Sequence, residues 1–260
     1  MSKSPLKVIK IGGNIIDHPE KLNQFLGNLS RLNQPFVLVH GGGKIATEMS
    51  KSMGIESQMI DGRRVTDEAT LKIVTMVYAG WINKSIVAKL QALEVNALGL
   101  SGPDGQIVLS KKRNPEPINY GWVGDIIEVN GQKIKQLIDL GFLPIIAPIT
   151  ANKEGELLNT NADTMAQSIA IGLSPFFEVT LTYCFEKAGV LLDADDEKSL
   201  IPQINEAYFQ ELKTKGIVHT GMIPKLENAL KAIAQGVNSV KIMHADDILN
   251  PNGGTEIKKE

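Results

Sequence analysis

The stretch Phe36-Val-Leu-Val-His-Gly-Gly-Gly-Lys44 carries a short apolar run directly into three consecutive glycines, and the helical pattern Ile45–Met53 follows it. An apolar run that passes through glycine into a helix is typical of one strand-to-helix step in a parallel α/β sheet. One glycine is enough for a tight turn, so three in a row indicate that backbone N–H groups face a ligand. The stretch therefore predicts an α/β fold with a binding edge at the carboxyl end of this strand.

The same alternation of strand and helix recurs along the whole chain. Short β-branched runs predict strands at Lys7–Ile11, Phe36–Val39, Ala97–Leu100, Pro144–Ile149, Val179–Tyr183 and Val240–Met243. Apolar residues at helical spacing predict helices within Leu22–Leu32, Ile45–Met53, Ala69–Leu93, Ile134–Leu140, Met165–Leu173 and Leu226–Ala234. This alternation predicts an open αβα sandwich whose central sheet is mainly parallel and covered on both faces.

One segment, Gly105–Val129, departs from this alternation. Two β-rich runs, Ile107–Leu109 and Trp122–Val129, flank a basic and proline-containing stretch, which predicts an inserted hairpin. Asn130 stands before the next helical pattern and is predicted to be its N-cap. No linker or low-complexity segment divides the chain, so we expect one compact domain with two lobes, residues 1–175 and 176–260.

Composition excludes several classes of protein. The chain has 260 residues, 43% of them hydrophobic and 22% charged, and its net charge is −2. No basic cluster is strong enough for a nucleic-acid surface, and no apolar run approaches the roughly 18 residues of a membrane span. The single cysteine, Cys184, suits a reducing compartment. Because no signal peptide precedes the first strand pattern, we expect a cytoplasmic protein without nucleic-acid or membrane partners.

The glycine triplet has three possible roles: a simple tight turn, the oxyanion hole of an esterase, or an anion site. An esterase needs a Gly-x-Ser-x-Gly nucleophile turn, which the sequence lacks. A Walker-type phosphate loop is excluded because Ile45 follows Lys44 where Ser or Thr is required. Elimination favours an anion site formed by N–H groups and the helix dipole. Lys10-Ile-Gly-Gly-Asn14 places a second glycine turn at the end of the first predicted strand.

Four charged residues are further candidates for a site, and three of them also have an ordinary explanation. Lys10 could extend to solvent, Asp163 could complement the helix dipole below an Asn161 cap, and Arg64 could be a solvated loop charge. Lys225 follows Pro224 in the first turn of a predicted helix, where the dipole disfavours a cation unless an anion is near. Two lysines, an arginine, an aspartate and two glycine turns together indicate phosphoryl transfer. The four histidines lack metal-ligand spacing, so no protein-built metal site is predicted.

Six segments resemble, in order and spacing, the N-acetylglutamate kinases, the acylglutamate branch of the amino-acid kinase family. They are Val8-Ile-Lys-Ile-Gly-Gly13, Val39-His-Gly-Gly-Gly43, Gly62-Arg-Arg-Val-Thr66, Asn159-Thr-Asn-Ala-Asp163, Thr220-Gly-Met-Ile-Pro-Lys225 and Gly254-Thr-Glu-Ile257. The resemblance implies ATP-dependent phosphorylation of the side-chain carboxylate of N-acetyl-L-glutamate to the 5-phosphate, in arginine biosynthesis. N-succinyl-L-glutamate as substrate, another enzyme of the same fold, and a non-catalytic amino-acid or nucleotide sensor are the alternatives.

The resemblance also implies roles for individual residues. Lys10 and Lys225 would neutralise the phosphoryl group during transfer, and Asp163 would orient both lysines. The residues that would hold the acylglutamate are Gly42, Gly43, Arg64 and Asn159. The residues that would contact ATP, which carries Mg²⁺, are Gly12, Gly13, Glu186, Gly189, Val190 and His219.

Two further expectations follow from the same resemblance. The family pattern Thr-Asp-Val-x-Gly-Val is replaced here by Tyr183-Cys-Phe-Glu-Lys-Ala-Gly-Val190, with Glu186 at the position of the aspartate. Gly189 is retained, so the resemblance implies that the loop itself is kept, and it leaves the individual contacts of this segment with ATP open. The region Ala69–Leu93 carries many large apolar residues, including Val77, Tyr78, Trp81 and Ile82, and the family uses it for dimerisation, so we expect a homodimer.

Overall fold

A computed structural model describes residues 3–60, 62–193, 196–217 and 222–259. Its strands are β1 Pro5–Ile11, β2 Phe36–His40, β3 Met59–Ile60, β4 Arg63–Arg64, β5 Ala97–Ser101, β6 Val108–Lys112, β7 Gly124–Val129, β8 Leu143–Ala147, β9 Ile149–Ala151, β10 Leu157–Asn159, β11 Glu178–Phe185, β12 Gln203–Ile204, β13 Ser239–His244 and β14 Thr255–Ile257. Its α-helices are α1 Gly13–Ile16, α2 Pro19–Leu29, α3 Gly43–Ser52, α4 Glu68–Thr75, α5 Asn83–Ala92, α6 Gly131–Asp139, α7 Ala162–Leu173, α8 Glu206–Thr214 and α9 Ile223–Ala234. A π-helix, Met76–Ile82, joins α4 to α5.

The main sheet has eight strands in the order β12-β14-β13-β11-β1-β2-β8-β5. The pairings from β13 through β5 are parallel, and β14 runs antiparallel to β13. Strand β1 lies in the interior of the sheet, with β11 on one side and β2 on the other. The carboxyl ends of β1, β2 and β11 therefore meet at one edge, which brings the two glycine turns together.

Helices cover both faces of this sheet, and the open αβα sandwich predicted from the sequence is confirmed. Alternate residues of β1 enter different cores because successive side chains of a strand point to opposite faces. Leu6 and Val8 pack with α7 and α9, whereas Ile9 and Ile11 pack with α2 and the helices that follow β2. Both faces are apolar, as expected for parallel strands buried on each side.

The predicted hairpin within Gly105–Val129 is also confirmed. Strands β6 and β7 pair antiparallel and form a second, four-stranded sheet with β9 and β10. The predicted strand Pro144–Ile149 is divided, because β8 ends at Ala147 and β9 begins at Ile149. Pro148 lies between them and has no N–H for a ladder bond, so the chain leaves the main sheet there. Asn130 caps α6 as predicted, since its Oδ1 accepts a hydrogen bond from Lys133 N at 3.1 Å.

The predicted helix Ala69–Leu93 is helical throughout its centre but contains the π-helix. The wider turn sends Val77, Tyr78 and Ile82 into the protein's own core, where each is less than 7% exposed. Met76 and Trp81 remain 54% and 70% exposed. The apolar excess seen in the sequence is therefore used mostly for packing within the chain, and Met76 and Trp81 are the most exposed large apolar side chains of this helix.

A buried histidine network anchors the glycine turn that follows β2. His40 is fully buried, and Asn83 Nδ2 donates hydrogen bonds to His40 Nε2 at 3.2 Å and to Ile145 O at 2.9 Å. The second ring nitrogen, Nδ1, lies 2.9 Å from Gly41 O, so we assign the ring proton to Nδ1, which donates to that carbonyl. Burial lowers the pKa of His40 to about 4, so the ring is neutral at pH 7.

Replacing His40 with asparagine is expected to weaken the pH dependence of stability. Below the ordinary pKa of 6.5 the unfolded chain binds a proton at His40, whereas the folded chain does not until the pH approaches about 4. His40 therefore lowers the free energy of unfolding as the pH falls, by about 1.4 kcal/mol per pH unit between these values. Urea denaturation at pH 7 and pH 5.5 measures the effect.

The control is His18→Asn, because His18 is exposed. The His18 variant should retain the pH dependence of the unmodified protein, whereas His40→Asn should lose part of it. Identical pH dependence in all three proteins would contradict the assignment of His40 as a buried neutral ring.

Candidate active site

Two cavities lie at the carboxyl edge of the main sheet. The first, of about 190 Å³, is bordered by the Gly41–Gly43 turn, Arg64 and Asn159. The second, of about 410 Å³, is bordered by Lys10, the Gly12–Gly13 turn and residues that follow β11. The glycine turns after two neighbouring strands thus form parts of two separate cavities, and the larger one lies between β1 and β11.

The glycine turn of the first cavity cannot carry a side chain at its centre. Gly42 has φ +141°, and a Cβ there would lie 2.1 Å from Ile82 Cδ1. Gly41 N donates to Ile11 O at 3.1 Å, which ties the turn to the end of β1. Helix α3 begins at Gly43, so the N–H groups of Gly42 and Gly43 lie at a helix N-terminus, where the dipole favours an anion.

Arg64 is a buried cation of the first cavity, only 7% exposed. Its Nη2 donates to Gly43 O at 2.8 Å and to Thr47 Oγ1 at 2.7 Å. Its Nη1 donates to Ser57 Oγ at 2.7 Å. Within the part of the chain that the structure describes, these acceptors are neutral and no carboxylate lies within ion-pair distance. A carboxylate in the cavity would supply the missing negative charge.

Asn159 is joined to Thr66, two residues after Arg64, both directly and through Trp122, which precedes β7. Asn159 Nδ2 donates to Thr66 Oγ1 at 3.0 Å, and Asn159 N donates to Trp122 O at 2.9 Å. Trp122 N in turn donates to Thr66 O at 2.6 Å. Gly121 makes this approach possible, because its φ is +72° and a Cβ there would lie 2.2 Å from Thr66 O. The second sheet thereby fixes one wall of the cavity.

Tyr78 and Arg113 also border the first cavity, and the sequence interpretation assigned neither to a site. Tyr78 enters through the π-helix, and burial raises the pKa of its phenol. Arg113 comes from the basic stretch of the hairpin and is paired with Asp125. That basic stretch was a usable signal for Arg113. The sequence contained no comparable signal for Tyr78, since apolar spacing does not distinguish a π-turn from an α-turn.

An ion pair stands at the boundary of the two cavities. Lys10 Nζ lies 2.8 Å from Asp163 Oδ1, and Lys10 is 8% exposed. Asp163 occupies the first turn of α7, whose start is capped by Asn161 Oδ1 accepting from Thr164 N at 3.0 Å. Asn161 and Thr164 border the first cavity, whereas Lys10 borders the second.

Lys225 faces the same region from the first turn of α9. Its Nζ lies 4.0 Å from the centroid of the Phe185 ring. Burial lowers the pKa of Lys225, nearby Asp163 opposes this, and nearby Lys10 lowers it further. Among the described residues, no carboxylate is within ion-pair distance of its ammonium, so its charge is available to a ligand. The Phe185 contact was not foreseen from the sequence, although Phe185 ends a strand at the binding edge.

The residues that the resemblance assigned to ATP do not all border the second cavity. Gly12, Gly13, Glu186 and Gly189 all border the second cavity. Val190 is 2% exposed and its N–H donates to Thr255 Oγ1 at 2.8 Å, so the structure does not bring it to the cavity wall. His219 lies outside the described residues.

The described residues show neither a metal-binding cluster nor a membrane-spanning helix. No group of three or more His, Cys, Asp or Glu side chains is arranged to hold a metal ion there. Across the same residues, no helix combines the length and apolar character needed to cross a membrane.

Comparison with known proteins gives consistent matches over almost the entire chain. Residues 5–244 match the amino acid kinase family. The acetylglutamate kinase of Cytophaga hutchinsonii is 53% identical over 245 residues, which cover 94% of this chain and 93% of that protein. The acetylglutamate kinase of Bacteroides fragilis is 50% identical over 257 residues, covering 99% and 98%. The structure of carbamate kinase from Giardia lamblia bound to AMP-PNP covers all of both chains with a TM-score of 0.72; at 16% identity it shows a shared fold.

Proposed function

The chain belongs to the amino acid kinase family, and from this premise we propose that it transfers the γ-phosphoryl group of ATP to the side-chain carboxylate of N-acetyl-L-glutamate. The products are ADP and N-acetyl-L-glutamyl 5-phosphate, an intermediate of arginine biosynthesis. Relatives about half identical over nearly their full length are acetylglutamate kinases. The observation that carries the proposal is the Lys10–Asp163 pair, which stands between a cavity with a buried arginine and a cavity that Lys10, Lys187 and Lys225 border.

We assign the acceptor to the first cavity. The Arg64 guanidinium would bind the α-carboxylate of the acylglutamate, which supplies the negative charge that the neutral oxygens around Arg64 do not. The N–H groups of Gly42 and Gly43, together with Asn159, would hold the rest of the molecule. The side-chain carboxylate would then point toward Lys10. This carboxylate is ionised at neutral pH, since its reference pKa is ~4.3, and attacks phosphorus without a general base.

We assign ATP to the second cavity. Its phosphates would lie against the N–H groups of Gly12 and Gly13, and Mg²⁺ carried in with ATP would neutralise part of the phosphate charge. An acceptor oxygen forms the new bond to the γ-phosphorus while the bond to the β-γ bridging oxygen breaks and ADP leaves. Lys10 and Lys225 would neutralise the charge of the phosphoryl group in transit, and Asp163 would keep both ammonium groups oriented.

In this proposal the two lobes bind different substrates. Residues 1–175 form the lobe for acylglutamate and dimerisation, and residues 176–260 form the lobe for ATP. The ATP cavity nevertheless takes Lys10, Gly12 and Gly13 from the first lobe. A cytoplasmic location belongs to the same proposal, since each small-molecule substrate would be met there.

A substrate panel tests the function directly. The purified protein is incubated with ATP, Mg²⁺ and one acceptor, and the acyl phosphate is trapped as a hydroxamate. The acceptors are N-acetyl-L-glutamate, N-succinyl-L-glutamate, L-glutamate, L-aspartate and carbamate, with ADP release measured for UMP. We expect turnover of N-acetyl-L-glutamate. Failure with every N-acylglutamate would overturn the proposal and favour a sensor or another kinase.

N-succinyl-L-glutamate is kept in the panel because of the charge in the first cavity. Arg63 and Arg113 border it in addition to Arg64. A succinyl group would bring one further carboxylate toward these cations. Turnover of only the succinyl compound would correct the acyl group while leaving the reaction unchanged.

Replacing Arg64 with lysine tests its assignment to the α-carboxylate. Lysine keeps the charge but lacks the planar fork that binds a carboxylate with two hydrogen bonds. We expect the KM for the acylglutamate to rise about 10- to 100-fold, with the KM for ATP nearly unchanged. Initial-rate kinetics at saturating ATP measure it. Arg31→Lys, at an exposed position, is the matched control, and an unchanged acceptor KM in Arg64→Lys would refute the assignment.

We also propose a homodimer that buries Met76 and Trp81. Trp81 is 70% exposed, which is unusual for so large an apolar side chain. Sedimentation velocity should find two chains per particle for the unmodified protein and one for Trp81→Glu. Leu140→Glu is the control, because Leu140 is 72% exposed and follows a helix on the opposite face of the sheet. A monomer before substitution, or an unaffected dimer after it, would rule out this interface.

A further inference from the structure

We propose that Phe185 is a positioning residue whose ring holds the Lys225 ammonium, and more distantly that of Lys10, in place for phosphoryl transfer. The inference rests on the proposed function of the two lysines. Phe185 lies in the segment where this chain departs from the family pattern Thr-Asp-Val-x-Gly-Val. Glu186 stands at the position of the aspartate, so Phe185 stands at the position of the preceding threonine.

The geometry around the ring carries the proposal. Lys225 Nζ lies 4.0 Å and Lys10 Nζ lies 5.6 Å from the ring centroid of Phe185. Both distances are within the range of about 6 Å over which an aromatic face attracts a cation. All three residues border the second cavity. The Phe185 ring can therefore attract two ammonium groups, that of Lys10 from β1 and that of Lys225 from α9.

A second aromatic side chain packs against the Phe185 ring. Tyr183 stacks on Phe185 with 6.2 Å between centroids and an interplanar angle of 19°. Tyr183 pairs in register with Lys10 of the neighbouring parallel strand, so the tyrosine and Lys10 share a face of the sheet. The Tyr183 hydroxyl donates to Asp163 O at 3.4 Å. Phe185 is thus linked through Tyr183 to Asp163 of the Lys10–Asp163 ion pair.

An aromatic ring suits this position better than a second carboxylate would. Two ammonium groups that both face one cavity repel each other, and burial further disfavours the charge of Lys225. A carboxylate would relieve this repulsion but would compete with the ATP phosphates for the same cations. The ring attracts an ammonium through its quadrupole without adding net charge, and it uses none of the three N–H donors. These donors stay available to the phosphoryl oxygens.

The test uses variants that remove the ring or keep it. Phe185→Leu and Phe185→Met lack the ring, whereas Phe185→Tyr keeps it; the methionine variant serves if the leucine variant does not fold. The pKa of Lys225 in the full-length protein is measured by competitive amine labelling across a pH series, read by peptide mass spectrometry. Lys51, exposed on α3, is the internal control in each sample.

We expect the pKa of Lys225 to fall by about one unit in the two ring-less variants and to be retained in Phe185→Tyr. The kcat should fall about three- to tenfold in the ring-less variants, with rescue by tyrosine and little change in the KM for the acylglutamate. An unchanged pKa of Lys225 in the leucine and methionine variants would overturn the proposal.

The labelling result does not require turnover. If the unmodified protein phosphorylates no N-acylglutamate, the proposed function fails while the pKa series still decides the role of the ring. If the enzyme is active and the pKa series shows no effect of the ring, the function stands and the role of Phe185 is refuted.

Discussion

The site depends on an excess of positive charge at the carboxyl edge of the central sheet. Lys10, Arg64 and Lys225 converge on two adjoining cavities, and among the described residues Asp163 is the one carboxylate within ion-pair distance of any of them. Like charges repel strongly where little water is present, so each cation needs its own support. A carboxylate holds Lys10, neutral oxygens hold Arg64, and an aromatic face lies beneath Lys225. Polyanionic substrates would complete the charge balance.

Uncharged groups set the geometry around these cations. His40 and Asn83 are buried, and they fix the first glycine turn through hydrogen bonds that carry no net charge at neutral pH. Gly42 leaves room for Ile82 where any side chain would collide. The turn can therefore present backbone N–H groups to an anion beside the Arg64 guanidinium, which donates to Gly43 O. In this site, uncharged residues fix the backbone of the glycine turn, and other residues carry the charge.

Much of the fold followed from the sequence because hydrophobic periodicity and glycine placement are local signals. The two glycine turns were predicted at the ends of parallel strands, and in the structure they lie at one edge because β1 and β2 are neighbours. The sequence did not reveal the π-helix, since Met76–Ile82 shows the apolar spacing of an ordinary helix. Phe185 and Tyr78 were also missed. Their contacts are made with residues distant in the chain, and no local pattern records those distances.

The pairing of β1 with β11 has a mechanical consequence. Seven consecutive residues of β1, from Pro5 to Ile11, pair in register with Glu178 to Cys184. Strands β1 and β11 are thus joined through a continuous ladder of hydrogen bonds, and a rigid rotation of one against the other would break it. Any approach of the two substrates must then come from changes in sheet twist or from the loops above the edge. A twist of β1 would move Lys10 in the second cavity, and it would also move Ile11, whose carbonyl holds the Gly41 N–H of the turn that borders the first cavity.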